Sequence, residues 1–305
     1  MTTDLSTLQV LYQDCTLCPR MCHADRRARP GVCGCGAFLT AARAALHLWE
    51  EPCLSSQGGS GAVFFSGCTL KCCYCQNYPI SQEGLGKVLT QERLEEILLG
   101  LQEQGAQNID LITATQFLPS LLPVLDRIRP HLHIPIVWNC SGYERTETLR
   151  MLDGYIDIYL PDLKYFSPDT AKKYSGAPDY FSFASEAVKE MIRQTGIPVF
   201  ASDGSLQKGT LIRHMILPGQ KEDSVRILEW MADSLPKGSF LLSLLSQYTP
   251  FFRAKDYPEI NRRVTSYEYK KVLDKALALG LNEGFMQERS SAKEEYTPPF
   301  DLEGL

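Results

Sequence analysis

Nine of the eleven cysteines fall in two clumps, five between Cys15 and Cys35 and four between Cys68 and Cys75. The sequence shows neither a basic start leading into an apolar run nor an apolar stretch of spanning length. Its longest apolar stretch, FLLSLL at 240–245, is strand-sized. The expected location is therefore cytoplasmic, away from membranes. In a reducing compartment, crowded thiols point to metal or cluster ligation rather than to disulfides. At 305 residues, 44% hydrophobic and 22% charged, the chain can bury one large core or two modest ones, which excludes disordered, collagenous and low-complexity classes. The 31 Lys+Arg against 36 Asp+Glu give a net charge of -5, so no basic excess draws a phosphate backbone and no nucleic-acid partner is expected.

Residues 1–60 carry the first cysteine clump, Pro30, Gly31, Gly34, Gly36 and the charged run Asp25-Arg26-Arg27-Ala28-Arg29, with little periodic pattern. They read as a small Cys-rich metal-binding module ending near the Gly/Ser stretch 55–61. From Gly61 to residue 284, apolar runs (62–67, 109–115, 134–140, 155–163, 197–202 with 211–217, and 240–248) alternate with helical patterns at 91–104, 118–129, 187–195 and 223–234. Strands alternating with helices imply an α/β fold with a parallel sheet. Six units are fewer than the eight of a closed barrel, so a partial (β/α)6 barrel is expected. Residues 285–305 form a C-terminal tail, whose proline-containing end EEYTPPFDLEGL is expected to be mobile or to wrap on a partner.

Parallel α/β folds place chemistry in the loops after strand C-termini. The polar residues at those ends are Cys68, then Thr113, Thr115 and Gln116, then Asn139 and Ser141, then Asp162 and Lys164, with Arg213 and His214 in the fifth run. Each also has a bland reading: a strand-end Asn, Ser or Thr can satisfy backbone groups, Asp162 with Lys164 can be a surface ion pair, and His214 a hydrogen-bonded core residue. In GCTLKCCYCQN, Cys68, Cys72 and Cys75 stand with three and then two residues between them, directly after a strand. A short loop can curl three thiolates onto three irons of a 4Fe-4S cube and leave the fourth iron open. Cys73 lies inside the loop and reads as non-ligating.

This Cys-x-x-x-Cys-x-aromatic-Cys string, with Tyr74 as the aromatic, resembles the radical S-adenosylmethionine superfamily. EEPCLS, GSGAVFFSGCTLKCCYCQNYPIS, WNCSGYE, DIYLPDLKY and RHMILPG are similar to its branch related to the pyruvate formate-lyase activating enzyme, in blocks from about Cys15 to Phe285. The resemblance implies a 4Fe-4S cluster on Cys68, Cys72 and Cys75 whose open iron chelates the amine and carboxylate of S-adenosylmethionine. One electron, from a flavodoxin- or ferredoxin-type donor, then yields methionine and a 5′-deoxyadenosyl radical that abstracts hydrogen from a protein or peptide, glycyl-radical enzyme activation included. It further implies Tyr74 beside the adenine, Thr113 and Thr115 toward the ammonium group, Asn139 and Ser141 on the ribose, Asp162 and Lys164 on the carboxylate side, and Arg213 and His214 on the opposite wall. Relatives often carry Gly-Gly-Glu where this chain has Ala114-Thr115-Gln116, so hydroxyl or main-chain oxygens must accept there. Two other readings are a radical enzyme acting on a small metabolite and a non-catalytic iron–sulfur or zinc protein.

The first clump supplies a second site. Cys15-Thr-Leu-Cys18 has knuckle spacing for tetrahedral zinc, completed by Cys22 and Cys33 or Cys35, while Cys18-Pro19 also suits a second iron–sulfur cluster. Cys53 and Cys140 read as buried free thiols, with Cys53 a spare ligand to either site.

Overall fold

The computed structural model describes residues 5–55, 58–286 and 297–305. Ten strands are described: β1 (Thr40–His47), β2 (Ser60–Phe65), β3 (Lys87–Val88), β4 (Ile109–Ile112), β5 (Ile136–Cys140), β6 (Ile158–Pro161), β7 (Val199–Phe200), β8 (Leu206–Met215), β9 (Leu241–Leu245) and β10 (Gly284–Met286). The runs of 62–67, 136–140 and 240–245 are apolar at nearly every position because these strands are covered on both faces; β2, β5 and β9 are buried throughout. Strands β2, β4, β5, β6, β8, β9 and β10 pair in parallel in sequence order. Helices Gln91–Glu103, Leu118–Ile128, Tyr180–Thr195, Lys221–Ser234 and Ser266–Ala278 cover them. The sheet path ends at β10 on one side and β3 on the other, which do not pair, so the barrel is partial as expected.

Helix Gln91–Glu103 shows why the pattern was readable. The Thr90 side chain accepts from the Arg93 amide at its start, and Leu94, Ile97, Leu98 and Leu101 form one buried stripe. Helix Tyr180–Thr195 begins seven residues before its expected start, because YFSFAS carries aromatic and Ser residues of modest helix propensity. The halves of the fifth run differ: β7 folds back antiparallel on β8 as a hairpin, and β8 alone continues the parallel sheet.

Within the first sixty residues, β1 pairs antiparallel with β2 and carries β3 on its other edge. The described end of the chain corrects one expectation. Residues 297–305 do not hang free but lie along the edge of β1 beyond β3, where Ala44 N donates to Glu303 O (2.9 Å) and Leu302 N to Ala42 O (3.1 Å). Arg43 pairs with Asp301 at 2.7 Å and also with Glu303, and Phe300 meets Phe64 edge-on at 5.6 Å. Covering that edge removes a row of unpaired backbone groups. The part of the expected tail at 287–296, like Ser56 and Gln57 of the Gly/Ser stretch, lies outside the described residues. Among the described residues, no helix is long and apolar enough to cross a membrane.

Candidate functional site

After β2 the chain turns at Gly67, whose φ of +79° and missing Cβ are both required, since a Cβ there would stand 2.1 Å from Cys35 Sγ. The following loop presents Cys68, Cys72 and Cys75 to one cavity of about 270 Å³ at the C-terminal ends of the strands. Polar groups surround the sulfurs. Leu70 N lies 3.4 Å from Cys68 Sγ, Ser175 Oγ donates to Cys72 Sγ at 2.9 Å, and Ser81 Oγ lies 3.3 Å from Cys75 Sγ. Burial pushes the Cys68 and Cys75 thiols up to about 12 and about 11, with the neighbouring Cys72 sulfur adding to both. Thiols held protonated in this way lose their protons to a metal rather than to water. Cys73 faces elsewhere: its amide donates to Tyr174 O (2.8 Å), its carbonyl accepts from Arg253 N (2.9 Å), and it does not line the cavity.

The cavity wall also carries Tyr74, Thr113, Asn139, Ser141, Asp162, Lys164 and Arg213. Asp162 and Lys164 are not a surface pair. Lys164 Nζ contacts Asp162 Oδ2 at 2.6 Å, and Arg213 Nε donates to Asp162 Oδ1 at 2.9 Å, all three side chains being largely buried. Burial alone would raise the Asp162 pKa, but Arg213 and Lys164 together hold it below the ordinary carboxylate value. Arg213 extends the network to Glu50 (3.0 Å) and to Asn139 Oδ1 (2.8 Å), and Asn139 Nδ2 donates to Glu50 Oε2 and Asp110 Oδ2, both at 3.2 Å. Glu50, which also lines the cavity, went unread in the sequence; its only signal was an acidic pair preceding a proline and a cysteine in EEPC. Ser141 Oγ is buried on this wall without a hydrogen-bond partner. Tyr74 is buried, its hydroxyl 2.5 Å from that of Tyr165.

Two expected residues are not brought to the cavity. Thr115 sits in a short turn with its hydroxyl donating to Glu144 Oε1 at 2.7 Å, fully buried. His214 follows Arg213 in β8, and successive strand residues point to opposite faces, so the two cannot share one wall. His214 Nδ1 instead meets Leu163 O at 2.6 Å, and burial lowers its pKa to about 4. Gln116 has a bracing role that the sequence did not reveal, its Nε2 donating to the carbonyls of Ser66 (2.9 Å), Gly67 (3.2 Å) and Thr113 (2.8 Å) and so tying β4 to the start of the cysteine loop.

The first cysteine clump packs behind that loop. Cys68 N donates to Cys33 O at 3.3 Å, Lys71 Nζ lies 3.5 Å from the same oxygen, and Cys35 Sγ donates to Ser66 O at 3.2 Å. Cys53 lies in a separate apolar cluster, whereas Cys140, also buried, lines the same cavity as the cysteine loop.

Residues 62–231 match the family model described as the Radical SAM superfamily. An uncharacterized protein of Methanocaldococcus jannaschii, MJ0674, is 26% identical over 275 residues, covering 87% of this chain and 75% of its own length. Among solved structures, SuiB of Streptococcus suis bound to its precursor peptide SuiA matches 72% of this chain and 46% of its own, at 14% identity and a TM-score of 0.50. The FeFe-hydrogenase maturase HydG of Carboxydothermus hydrogenoformans matches 75% and 53% at 15% identity, also with a TM-score of 0.50. The chain thus spans about half the length of these two structures, whose likeness is one of fold. Because the family model covers more than half of the sequence, from the strand that precedes the cysteine loop to the helix after β8, the chain belongs to the Radical SAM superfamily.

Proposed function

We propose that this protein binds a 4Fe-4S cluster through Cys68, Cys72 and Cys75 and uses S-adenosylmethionine to take a hydrogen atom from a protein or peptide, as the activating enzymes of glycyl-radical proteins do. Superfamily membership implies the cluster and the cofactor. The residues present fit both. Among the described residues no three His, Cys, Asp or Glu side chains stand close enough to share one metal ion. A cube makes no such demand, because it meets three thiolates on three separate irons. For the cofactor, Ser141, whose buried hydroxyl has no hydrogen-bond partner, lines the same cavity as the three cysteines, and this shared wall is the observation that carries the reading.

When bound, cluster and cofactor supply one-electron cleavage to methionine and a 5′-deoxyadenosyl radical, the electron coming from a flavodoxin- or ferredoxin-type donor. The protein supplies placement. Ser141 offers its hydroxyl to a ribose oxygen. Lys164 and Arg213, held in place by Asp162, give the cavity two fixed cations that suit a carboxylate. Tyr74, beside Cys75 and on the cavity wall, offers main-chain and ring contact to the adenine. A polypeptide substrate is favoured by the cavity's edge, where Trp49 lines the wall while 56% exposed and is preceded by Leu48, 58% exposed.

The test is anaerobic reconstitution with iron and sulfide, reduction, and assay of 5′-deoxyadenosine, followed by deuterium transfer into it from labelled candidate polypeptides. Formation of 5′-deoxyadenosine with methionine is expected. A protein carrying full iron at this loop that cleaves no S-adenosylmethionine would overturn the proposal.

A further inference from the structure

Arg26 is a buried cation without a carboxylate. It is 2% exposed, and its donors end on neutral groups: Nε on Cys35 O (3.1 Å), Nη1 on Gln116 O (2.5 Å) and Nη2 on Gly36 O (2.6 Å). Its guanidinium carbon lies 4.9 Å from the Tyr12 ring centroid and 5.9 Å from that of Phe117. Cation–π contacts of this kind contribute about 1–2 kcal/mol. Removing a guanidinium from water costs several times that unless an anion is close. The ionisable groups around it include Cys15, whose Sγ is 3.9 Å from Nη1, Cys33, Cys35 and Tyr12. A buried tyrosine is a poor anion, which leaves sulfur.

A second observation concerns space. A Cβ on Gly31 would lie 3.2 Å from Cys22 Sγ, 3.6 Å from Cys33 Sγ and 3.6 Å from Arg26 Cδ. Two thiols and the cation's stem therefore converge on Gly31, where a Cβ would press on Cys22 Sγ. Cys18 completes the group by sequence, three residues from Cys15 and four from Cys22.

We propose that Cys15, Cys18, Cys22 and Cys33 hold a second, four-thiolate metal centre of net negative charge, for which buried Arg26 is the counter-ion. Four thiolates around an oxidised 4Fe-4S cube leave two negative charges, which fits the cation, whereas one shared zinc ion would need the thiolates closer together than they stand. The backbone bond from Cys68 N to Cys33 O sets this centre directly behind the loop of the first site. The inference is independent of what the cavity binds.

The decisive variant is Cys68→Ala/Cys72→Ala/Cys75→Ala, which removes the first site. Reconstituted anaerobically with iron and sulfide, it is expected to retain about four irons with a cube's Mössbauer signature per chain. Elemental analysis counts zinc as well, and stoichiometric zinc in place of the cube would overturn the assignment. Adding Cys15→Ser should abolish the retained metal. A folded triple variant that holds neither metal in stoichiometric amount overturns the proposal. If the triple variant does not fold, Cys22→Ser in the otherwise intact chain must lower metal content by one centre, and unchanged content overturns it. Arg26→Met tests the counter-ion: it is expected to speed metal loss to a chelator by roughly tenfold, with Arg26→Lys in between. An Arg26→Met rate equal to that of the parent protein would remove Arg26 from the proposal.

Discussion

Ser175 donates its hydroxyl to Cys72 Sγ at 2.9 Å, although the two residues stand 103 positions apart in the chain. Ser175 is in turn 2.6 Å from the hydroxyl of Tyr165, which lies 2.5 Å from that of Tyr74. A single sulfur of the cysteine loop is thus addressed by a buried file of three hydroxyls. Hydrogen bonds to cluster sulfurs favour the electron-rich reduced state and raise the potential. Ser175→Ala is therefore expected to make the cluster harder to reduce. One hydrogen bond's net value of about 1 kcal/mol corresponds to roughly 40 mV for a one-electron couple. Tyr165→Phe, one step further out, should move it less. A redox titration followed by electron paramagnetic resonance reads both, and a Ser175→Ala potential equal to the parent's would show that the hydroxyl does not act on the cluster.

Cys72→Ala should leave the barrel folded and abolish reductive cleavage, because two thiolates cannot hold the cube with one corner bare. The backbone around Cys72 is secured independently, since Gln82 Nε2 donates to its carbonyl at 2.9 Å and the next amide donates to Tyr174 O. Circular dichroism should match the parent while 5′-deoxyadenosine formation vanishes. Retained turnover with a full complement of iron would refute the assignment.

Asn139 and Ser141 were read alike from the sequence, and the structure separates them. Asn139 uses both amide hydrogens on Glu50 and Asp110 and gives one oxygen lone pair to Arg213, so it is chiefly the centre of a buried charge network. Ser141 lines the cavity, and its buried Oγ has no partner. Asn139→Ala should therefore cost about 1–3 kcal/mol of folding stability, the penalty of leaving buried Asp110 unpaired. Ser141→Ala should leave the urea midpoint nearly unchanged and weaken S-adenosylmethionine binding by about 1 kcal/mol, roughly fivefold. Equal behaviour of the two variants in both measurements would contradict this division.

The contrast between these neighbours also shows what a sequence can disclose. The parallel strands were legible because burial on both faces demands continuous apolar runs, as at 62–65 and 136–140, and the covering helices because Leu94, Ile97, Leu98 and Leu101 recur at helical spacing. Strand β1 was not, since TAARAALH is rich in alanine, a helix former, and becomes a strand only through pairing with β2. The thiols of the cysteine loop were legible because their spacing is local. Glu50, Gln116 and Ser175 reach the site across 50 to 163 residues of chain, and no local pattern encodes such contacts. The joint reading of Arg213 and His214 failed on strand alternation, which a pair of adjacent polar residues always invites one to forget.

Glu51, beside the network and 6% exposed, gives a pH dependence of defined sign. Burial raises its pKa from the ordinary 4.5 to about 7, against the lowering effect of Arg213, and Ser243 Oγ donates to its Oε2 at 2.9 Å. In the folded protein Glu51 keeps its proton up to about pH 7, whereas in the unfolded chain it loses it near 4.5. Between those values the unfolded state binds fewer protons, so its stability contribution is complete below the lower value and is lost as pH rises through the upper one. The slope approaches 1.4 kcal/mol per pH unit, that is about one factor of ten in the folding equilibrium. Glutamine keeps a neutral, hydrogen-bonding side chain of the same size. Glu51→Gln should therefore match the parent in urea midpoint near pH 4.5 and exceed it near pH 8, and taking the difference between variant and parent cancels every other titrating group. A difference that stays constant between the two pH values would mean that Glu51 is ionised in the folded protein throughout, with Arg213 outweighing its burial.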